Sequence, residues 1–332
     1  MKEDILQQGQ KLSNEEIREA ARVILNIKNE IKKVIAGQEE VIDSFICALL
    51  CNGHVLVEGV PGIAKTLLIK SLAQVTGCSF KRIQFTVDLL PSDILGLTTY
   101  NPESGFEIVK GPIFANFVIA DEINRSPPKT QSALIEAMQE RQVTIGNTTF
   151  LLPSPFFVMA NQNPIESEGV YNLPEAQIDR FIFKVLMGYP KKDDELRIME
   201  ENATLKNFED FHLNSATSAP EILYLQQMVH RVYLDQKIKE YILNLVNLTR
   251  SKDFEYGNYI ELGSSPRASI YLFISSKALA LIKGRNYVIP KDVKEVAPLV
   301  LRHRLILSYK ARADGITSDK IIESLLRTAR VP

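Results

Sequence analysis

The octapeptide Gly59-Val60-Pro61-Gly62-Ile63-Ala64-Lys65-Thr66 decides how this chain is read. A short apolar run, His54-Val55-Leu56-Val57, precedes it, and residues 66–75 after it carry apolar side chains at helical spacing. Strand, glycine-bearing loop and helix form the context that a phosphate loop requires. Backbone N–H groups of such a loop point inward and act with the helix N-terminus to hold phosphate oxygens. Lys65 would reach the β- and γ-phosphates, and the Thr66 hydroxyl would ligate Mg²⁺. The expected contacts are Gly59, Pro61, Gly62, Ile63, Ala64, Lys65, Thr66 and Leu67, and the implied cofactors are ATP and Mg²⁺. One departure stands out: the strict pattern has glycine before the lysine, where this chain has Ala64. The bland alternative is a Gly-Pro turn followed by a surface lysine.

A second piece lies downstream. Phe117-Val118-Ile119-Ala120-Asp121-Glu122 reads as a buried strand ending in two carboxylates. Asp121 is suited to hold the metal through its water, and Glu122 to orient and deprotonate an attacking water. Acids at a strand's carboxyl end sit where α/β folds bind ligands. A third piece is Asn163, whose neutral amide can hydrogen-bond the γ-phosphate or the water. Asn161, two residues earlier, competes for that role.

Outward from this centre, Ser13 and Glu16 form a capping-box pattern. Ile17, Ala20, Ile24, Ile27, Ile31 and Val34 then predict a helix, Gly37-Gln38 break it, and Val41, Phe45 and Leu49 predict another. Five short apolar runs (54–57, 82–86, 115–120, 155–160 and 181–186) predict buried strands. Helical patterns at 66–75 and 128–141 separate several of them. That alternation implies a mostly parallel sheet covered on both faces. Residues 98–109 and 142–152 read as hairpins. Beyond about residue 187 only helical spacing is found, with starts at Ser265-Pro266, Pro290 and Ser318 and a stop at Gly284. The expected organisation is an α/β nucleotide-binding domain with N-terminal helices over 1–187 and an all-helical domain over 188–332, with 207–220 a loop within the latter.

Composition bounds the function. The 332 residues allow about two domains, and 45% hydrophobic with 24% charged residues allow a sizeable core. Lys plus Arg (39) nearly cancels Asp plus Glu (40), which opposes a surface built wholly for nucleic acid. No apolar run reaches the ~18 residues of a membrane span. The start, MKEDILQQGQ, lacks a signal peptide's apolar stretch, so no membrane insertion and a cytoplasmic location are expected. Cys47, Cys51 and Cys78 include no CxxC and read as buried thiols. His54, His212, His230 and His303 lack metal-ligand spacing and read as structural. Arg302, His303 and Arg304, with Lys310 and Arg312, read as a solvated basic face, with subunit contacts as the alternative.

Four stretches carry a resemblance. GHVLVEGVPGIAKT (53–66), DEINRSPPKTQSALIEAMQERQVTI (121–145), NPIESEGVYNLPEAQIDRF (163–181) and SPRASI (265–270) resemble, in this order, blocks of the MoxR family of AAA+ ATPases. Ala64 is usual in that family; Val170 and Asn172 stand where threonine and proline are commoner. The resemblance implies a P-loop AAA+ parallel sheet flanked by helices, with a C-terminal helical lid. It implies that Arg180 is the arginine finger for a neighbouring subunit's nucleotide and that Arg267 is the second sensor, touching the γ-phosphate in cis. A first-turn arginine opposes the helix dipole, which also favours a purpose for Arg267. Gly37 and Gln38 would lie beside the adenine, with Ile35 among the apolar neighbours. Arg125 would lie at an interface, with no assigned role.

At the level of the molecule, the resemblance implies a homo-oligomeric ring, expected to be hexameric. Its work would be chaperone-like remodelling of protein complexes, commonly with von Willebrand factor A-type partners. The hairpins would face the partner or the pore. Their tips (102–105 and 146–148) carry no Lys or Arg, which argues for a protein client and against nucleic acid. Two other functions remain in view: a DNA-directed AAA+ motor, and a nucleotide-gated binding module with little hydrolysis.

Overall fold

The computed structural model describes residues 12–332 except 61, 104, 163–169 and 202–206. Helix α1 (Asn14–Lys32) begins with a reciprocal capping box. The Ser13 N–H donates to Glu16 Oε2 at 2.7 Å, and the Glu16 N–H to Ser13 Oγ at 3.1 Å. Its stripe of Ile17, Ala20, Ile24, Ile27 and Ile31 is buried, as the spacing predicts. Helix α2 (Glu39–Leu50) leads to β1 (Val55–Gly59), α3 (Lys65–Val75), β2 (Phe80–Gln84) and α4 (Pro91–Leu95). A hairpin of β3 (Gly96–Asn101) and β4 (Gly105–Lys110) follows, then β5 (Phe117–Asp121) and α5 (Pro128–Glu140). A second hairpin, β6 (Gln142–Ile145) with β7 (Thr148–Leu151), precedes β8 (Phe157–Gln162), the short α6 (Glu175–Ile178) and β9 (Phe183–Met187).

Five of these strands form one sheet in the order β2-β5-β8-β1-β9. The pairs β2–β5, β5–β8 and β8–β1 are parallel. The inner strands β1, β5 and β8 are buried on both faces, which is why each reads as an unbroken apolar run. Strand β2 lies at the edge. It buries Ile83 but leaves Lys81, Arg82 and Gln84 exposed, and it starts two residues before the expected buried run at 82–86. Register pairs Gln84 with Asp121 and Val57 with Asn161. Ala120 pairs with Ala160, so Asp121 and Asn161 stand at one level near the ends of neighbouring strands.

The chain divides into two compact units. One holds Leu25–Phe181 and Val185–Leu223; the other holds the residues up to Ile24, Ile182–Lys184 and Tyr224–Pro332. The sheet ends at 187, where a boundary was expected, whereas the division by contacts falls at Leu223. The sheet unit therefore keeps α7 (Lys192–Glu201) and the segment 207–220, which the sequence reading placed in the helical domain. That segment is tied to the sheet unit directly. The Ala216 N–H donates to the Val75 carbonyl at 2.8 Å, and Lys70 Nζ lies 3.9 Å from the centre of the Phe208 ring.

The helical part comprises α8 (Ala219–Arg231), α9 (Gln236–Leu248), α10 (Pro266–Ile282), α11 (Pro290–Leu301), α12 (Tyr309–Ala313) and α13 (Ser318–Thr328). Its start signals work as the sequence predicts. Ser265 caps α10 with proline behind it, Thr317 caps α13, and Gly284 follows α10 at a φ of 69°. A short antiparallel ribbon of β10 (Ile260–Leu262) and β11 (Ile306–Leu307) amends the expectation of an all-helical domain. The basic cluster also needs correction. Arg304 is buried, its guanidinium 4.8 Å from the centre of the Tyr271 ring, with a bond to the Val300 carbonyl. Arg302 donates to Asp319 and to the Lys184 carbonyl, both at 2.8 Å. Both arginines satisfy carbonyls and an acid within the unit, so they do not form a solvated face. Among the described residues no helix is long and apolar enough to cross a membrane.

Candidate nucleotide site

The loop between β1 and α3 is shaped by three small residues, each for a different reason. A Cβ on Gly59 would stand 2.5 Å from the Met187 carbonyl and 2.8 Å from Ile63 Cδ1, so only glycine lets the loop leave the sheet there. Gly62 has a φ of +82°, with open space where a Cβ would point. Ala64, the N-cap of α3, has φ 62° and ψ 24°. This left-handed conformation explains why the strict pattern has glycine at that position, since an L-side chain there costs about 1–2 kcal/mol. Ile63 is buried and anchors the loop. The first turn of α3 carries no acid, so the positive end of its dipole is left for an external anion. Lys65 Nζ donates to the Gly59 carbonyl at 2.7 Å. Burial pushes the Lys65 ammonium below its ordinary pKa, against the opposing pull of Asp121 and Glu122.

The acids lie across a cleft of about 420 Å³. Gly62 and Ala64 to Leu67 form one wall; Arg82, Asp121, Glu122 and Asn161 form the other. Asn161 is buried at the end of β8 and uses both ends of its amide. Its Nδ2 donates to Asp121 Oδ1 at 2.5 Å, and its Oδ1 accepts from the Glu122 N–H at 2.7 Å. Glu122 itself has a φ of 57°, which turns the chain sharply at the strand end. Gln84 Nε2 donates to Glu122 Oε2 at 2.9 Å, and Arg125 Nε lies 3.0 Å from the same oxygen. Arg82 Nε donates to Asp121 Oδ2 at 2.9 Å.

These groups fit a magnesium nucleotide. The Thr66 hydroxyl and the Asp121 carboxylate are hard oxygen donors facing one cleft, the set that Mg²⁺ prefers. The loop and helix start offer backbone N–H groups and one ammonium for phosphate. The volume is in the range of small-molecule sites.

The other expected residues are distributed as follows. Gly37 and Gln38 have φ of 67° and 53° and enter α2. A Cβ on Gly37 would overlap the Asp194 carboxylate at 2.3 Å. Gln38 Oε1 is buried and finds no hydrogen-bond partner among the described residues, the kind of orphan that a ligand donor can satisfy. Neither residue is among those lining the cleft. Nor is Arg180, which follows α6 in a turn where its N–H donates to the Gln177 carbonyl at 3.1 Å. Arg267 belongs to the other unit, in the first turn of α10, its N–H donating to Ser265 Oγ at 3.2 Å. Pro61 and Asn163 lie outside the described residues, so of the two asparagines Asn161 is the one seen in the cleft.

Three residues escaped the sequence reading. Arg82 and Gln84 grip the two acids, and their signal was polar alternation on an edge strand. Gln131 is fully buried, its Nε2 within 3.1 Å of the carbonyls of Ile123 and Ser126 and 2.9 Å of that of Tyr171. It clamps the segment that follows Glu122. Aromatics flank the first hairpin's turn: Tyr100 and Phe106 are exposed and pack edge to face at 5.2 Å. The lack of Lys and Arg at that tip stands, but stacking aromatics are close by.

Comparison with known proteins agrees with this geometry. Residues 54–183 match the profile of the ATPase family associated with various cellular activities (AAA), and residues 257–325 match the AAA lid domain. The chain is 45% identical to Chaperone MoxR1 of Mycobacterium tuberculosis over 91% of its own length and 81% of that protein's. It is 27% identical to Protein MoxR of Methylorubrum extorquens over 92% and 94% of the two chains. The crystal structure of a candidate ATPase from Cytophaga hutchinsonii superposes with a TM-score of 0.89 at 44% identity, covering 96% of this chain and 97% of that one.

Proposed function

The chain belongs to the MoxR family of AAA+ ATPases, and from that premise we propose that it binds and hydrolyses Mg-ATP within a ring of identical subunits, to remodel protein complexes. The observation that carries this reading is the cleft that brings the phosphate loop opposite Asp121 and Glu122. Lys65 and the α3 N-terminus hold the phosphates, while Thr66 and Asp121 hold the metal. Gly59, Pro61, Gly62, Ile63, Ala64 and Leu67 shape and line the loop around them. Bound Mg²⁺ supplies charge neutralisation at the phosphates. Glu122 takes the proton of the attacking water, and Asn161 or Asn163 orients that water. Gly37 and Gln38 receive the adenine, and the orphan Gln38 Oε1 supports a hydrogen-bonding role there. Arg267 completes the site in cis and Arg180 in trans. The ring is hexameric, acts in the cytoplasm and serves a protein client, with a von Willebrand factor A-type protein as partner. The chaperone name of the mycobacterial relative supports this client class.

Two substitutions test the site. Lys65→Ala loses nucleotide binding. Glu122→Gln keeps binding but lowers turnover by about 10²-fold or more, the usual loss of a general base. Full-rate phosphate release by Glu122→Gln counts against the assigned base. The exposed Tyr100–Phe106 pair favours a second reading, in which the hairpin stacks on nucleic acid. Glu103 and Glu107 beside that pair oppose it, and DNA binding that weakens with salt is its test.

A further inference from the structure

Arg82 has no place in the phosphate-binding set, yet it is the cation nearest the carboxylate assigned to the metal. It sits on β2 opposite Ile119, and its long side chain leans along the strand to Asp121. Two guanidinium nitrogens donate to Asp121 Oδ2, Nε at 2.9 Å. The same terminal nitrogen that reaches Asp121 also donates to Gln84 Oε1 at 2.8 Å. An amide has one acceptor and one donor end. With its oxygen held by Arg82, Gln84 turns its Nε2 to Glu122 Oε2 at 2.9 Å. One guanidinium thus touches the metal-holding acid directly and the water-activating acid through a single amide.

The partners of Asp121 differ in exposure. Asn161, on Oδ1, is 2% exposed and fixed between two strands. Arg82, on Oδ2, has a side chain 52% exposed on an edge strand, with solvent to move into. With Oδ1 held by Asn161, Oδ2 is the oxygen for which a guanidinium and a metal's water shell would compete. We propose that Arg82 is a displaceable positioning residue: a resident cation on Asp121 Oδ2 that competes with Mg²⁺ and, through Gln84, links its own departure to the freeing of Glu122. This rests on the Mg-ATP reading above. When Arg82 leaves Oδ2, the Gln84 amide loses the bond that fixes its orientation, and with it the bond from Nε2 to Glu122.

The test is the free Mg²⁺ needed for half-maximal binding of a fluorescent, non-hydrolysable ATP analogue to the full chain, with the analogue saturating. Removing a competing cation lowers that concentration. Arg82→Ala should lower it about two- to five-fold, the range set by a half-exposed ion pair, and Arg82→Lys by less. A residue that merely braced the fold, or one that held phosphate, would raise it or leave it unchanged. Either of those outcomes overturns the inference. If Arg82→Ala melts below wild type, Arg82→Gln, which keeps most of the stem, carries the same expectation. Wild-type binding that needs no Mg²⁺ overturns the inference, whereas phosphate release that needs no Mg²⁺ refutes the Mg-ATP reading itself, without any Arg82 variant.

Discussion

Ala64 and Glu122 flank the same cleft, and both hold left-handed backbone, at φ of 62° and 57°. Such conformations in residues with a Cβ cost on the order of 1–3 kcal/mol each and gather where a site requires a particular geometry. At Ala64 the turn lets Lys65 begin a helix directly under the loop; at Glu122 it swings the second carboxylate off the strand end. The strain at Ala64 can be removed without touching a contact. Glycine relieves about 1–2 kcal/mol there, while its freer unfolded chain gives back roughly 0.5–1 kcal/mol. Ala64→Gly should therefore be neutral or stabilise by up to about 1.5 kcal/mol in denaturant unfolding, with nucleotide affinity kept. A loss larger than about 1 kcal/mol would contradict a left-handed Ala64.

At the scale of elements, sheet, hairpins and helix starts were legible because burial on both faces, glycine-bearing turns, and Ser, Thr or Pro at helix starts leave local marks. What the sequence blurred was where the strands end. The run at 155–160 stops at Ala160 on its apolar pattern, yet β8 continues through Asn161 and Gln162. Polar residues at a strand's carboxyl end look like loop, and on the proposed reading they line the site. The edge strand was misread for the converse reason, since it needs few apolar residues and leaves Arg82 and Gln84 free to reach across. His54 shows a clamp between elements. Its Nδ1 accepts from the Val158 N–H at 3.0 Å, and its Nε2 lies 3.1 Å from the Met138 carbonyl, joining β8 to the end of α5. Accepting at Nδ1 requires the neutral ring with its proton on Nε2. Burial, reinforced by Arg141, holds its pKa well below the usual histidine value. The unfolded chain then binds a proton that the folded chain refuses. This contribution is complete above about pH 6.5 and is lost as pH falls below it, at up to about 1.4 kcal/mol per pH unit. Urea midpoints of wild type should drop between pH 7 and 5.5 more steeply than those of His54→Gln; equal slopes would remove His54 from the account.

For the whole molecule, the near balance of 39 basic and 40 acidic residues gains a local meaning. On the proposed reading, nucleotide charge is met by Lys65, Arg180, Arg267, one helix end and a metal, so no basic surface is required. On that reading Arg180 could be assigned only through the long family blocks, because nothing in local spacing marks a residue whose partner would lie on another subunit. A ring makes each site heterologous, one face of a subunit against a different face of the next. An arginine supplied this way can be worth ~10³–10⁵ in rate. Lys65→Ala and Arg180→Ala should each be nearly inactive alone. In a mixed ring, the loop of an Arg180→Ala subunit can meet the arginine of a Lys65→Ala neighbour. Random one-to-one mixing creates that pairing at about a quarter of the interfaces. Phosphate release from the mixture should therefore approach about a quarter of the wild-type rate, and the gain should vanish at dilutions where size measurement shows no assembly. If Arg180 acted within its own chain, every subunit in the mixture would still lack one essential group, and mixing would restore nothing.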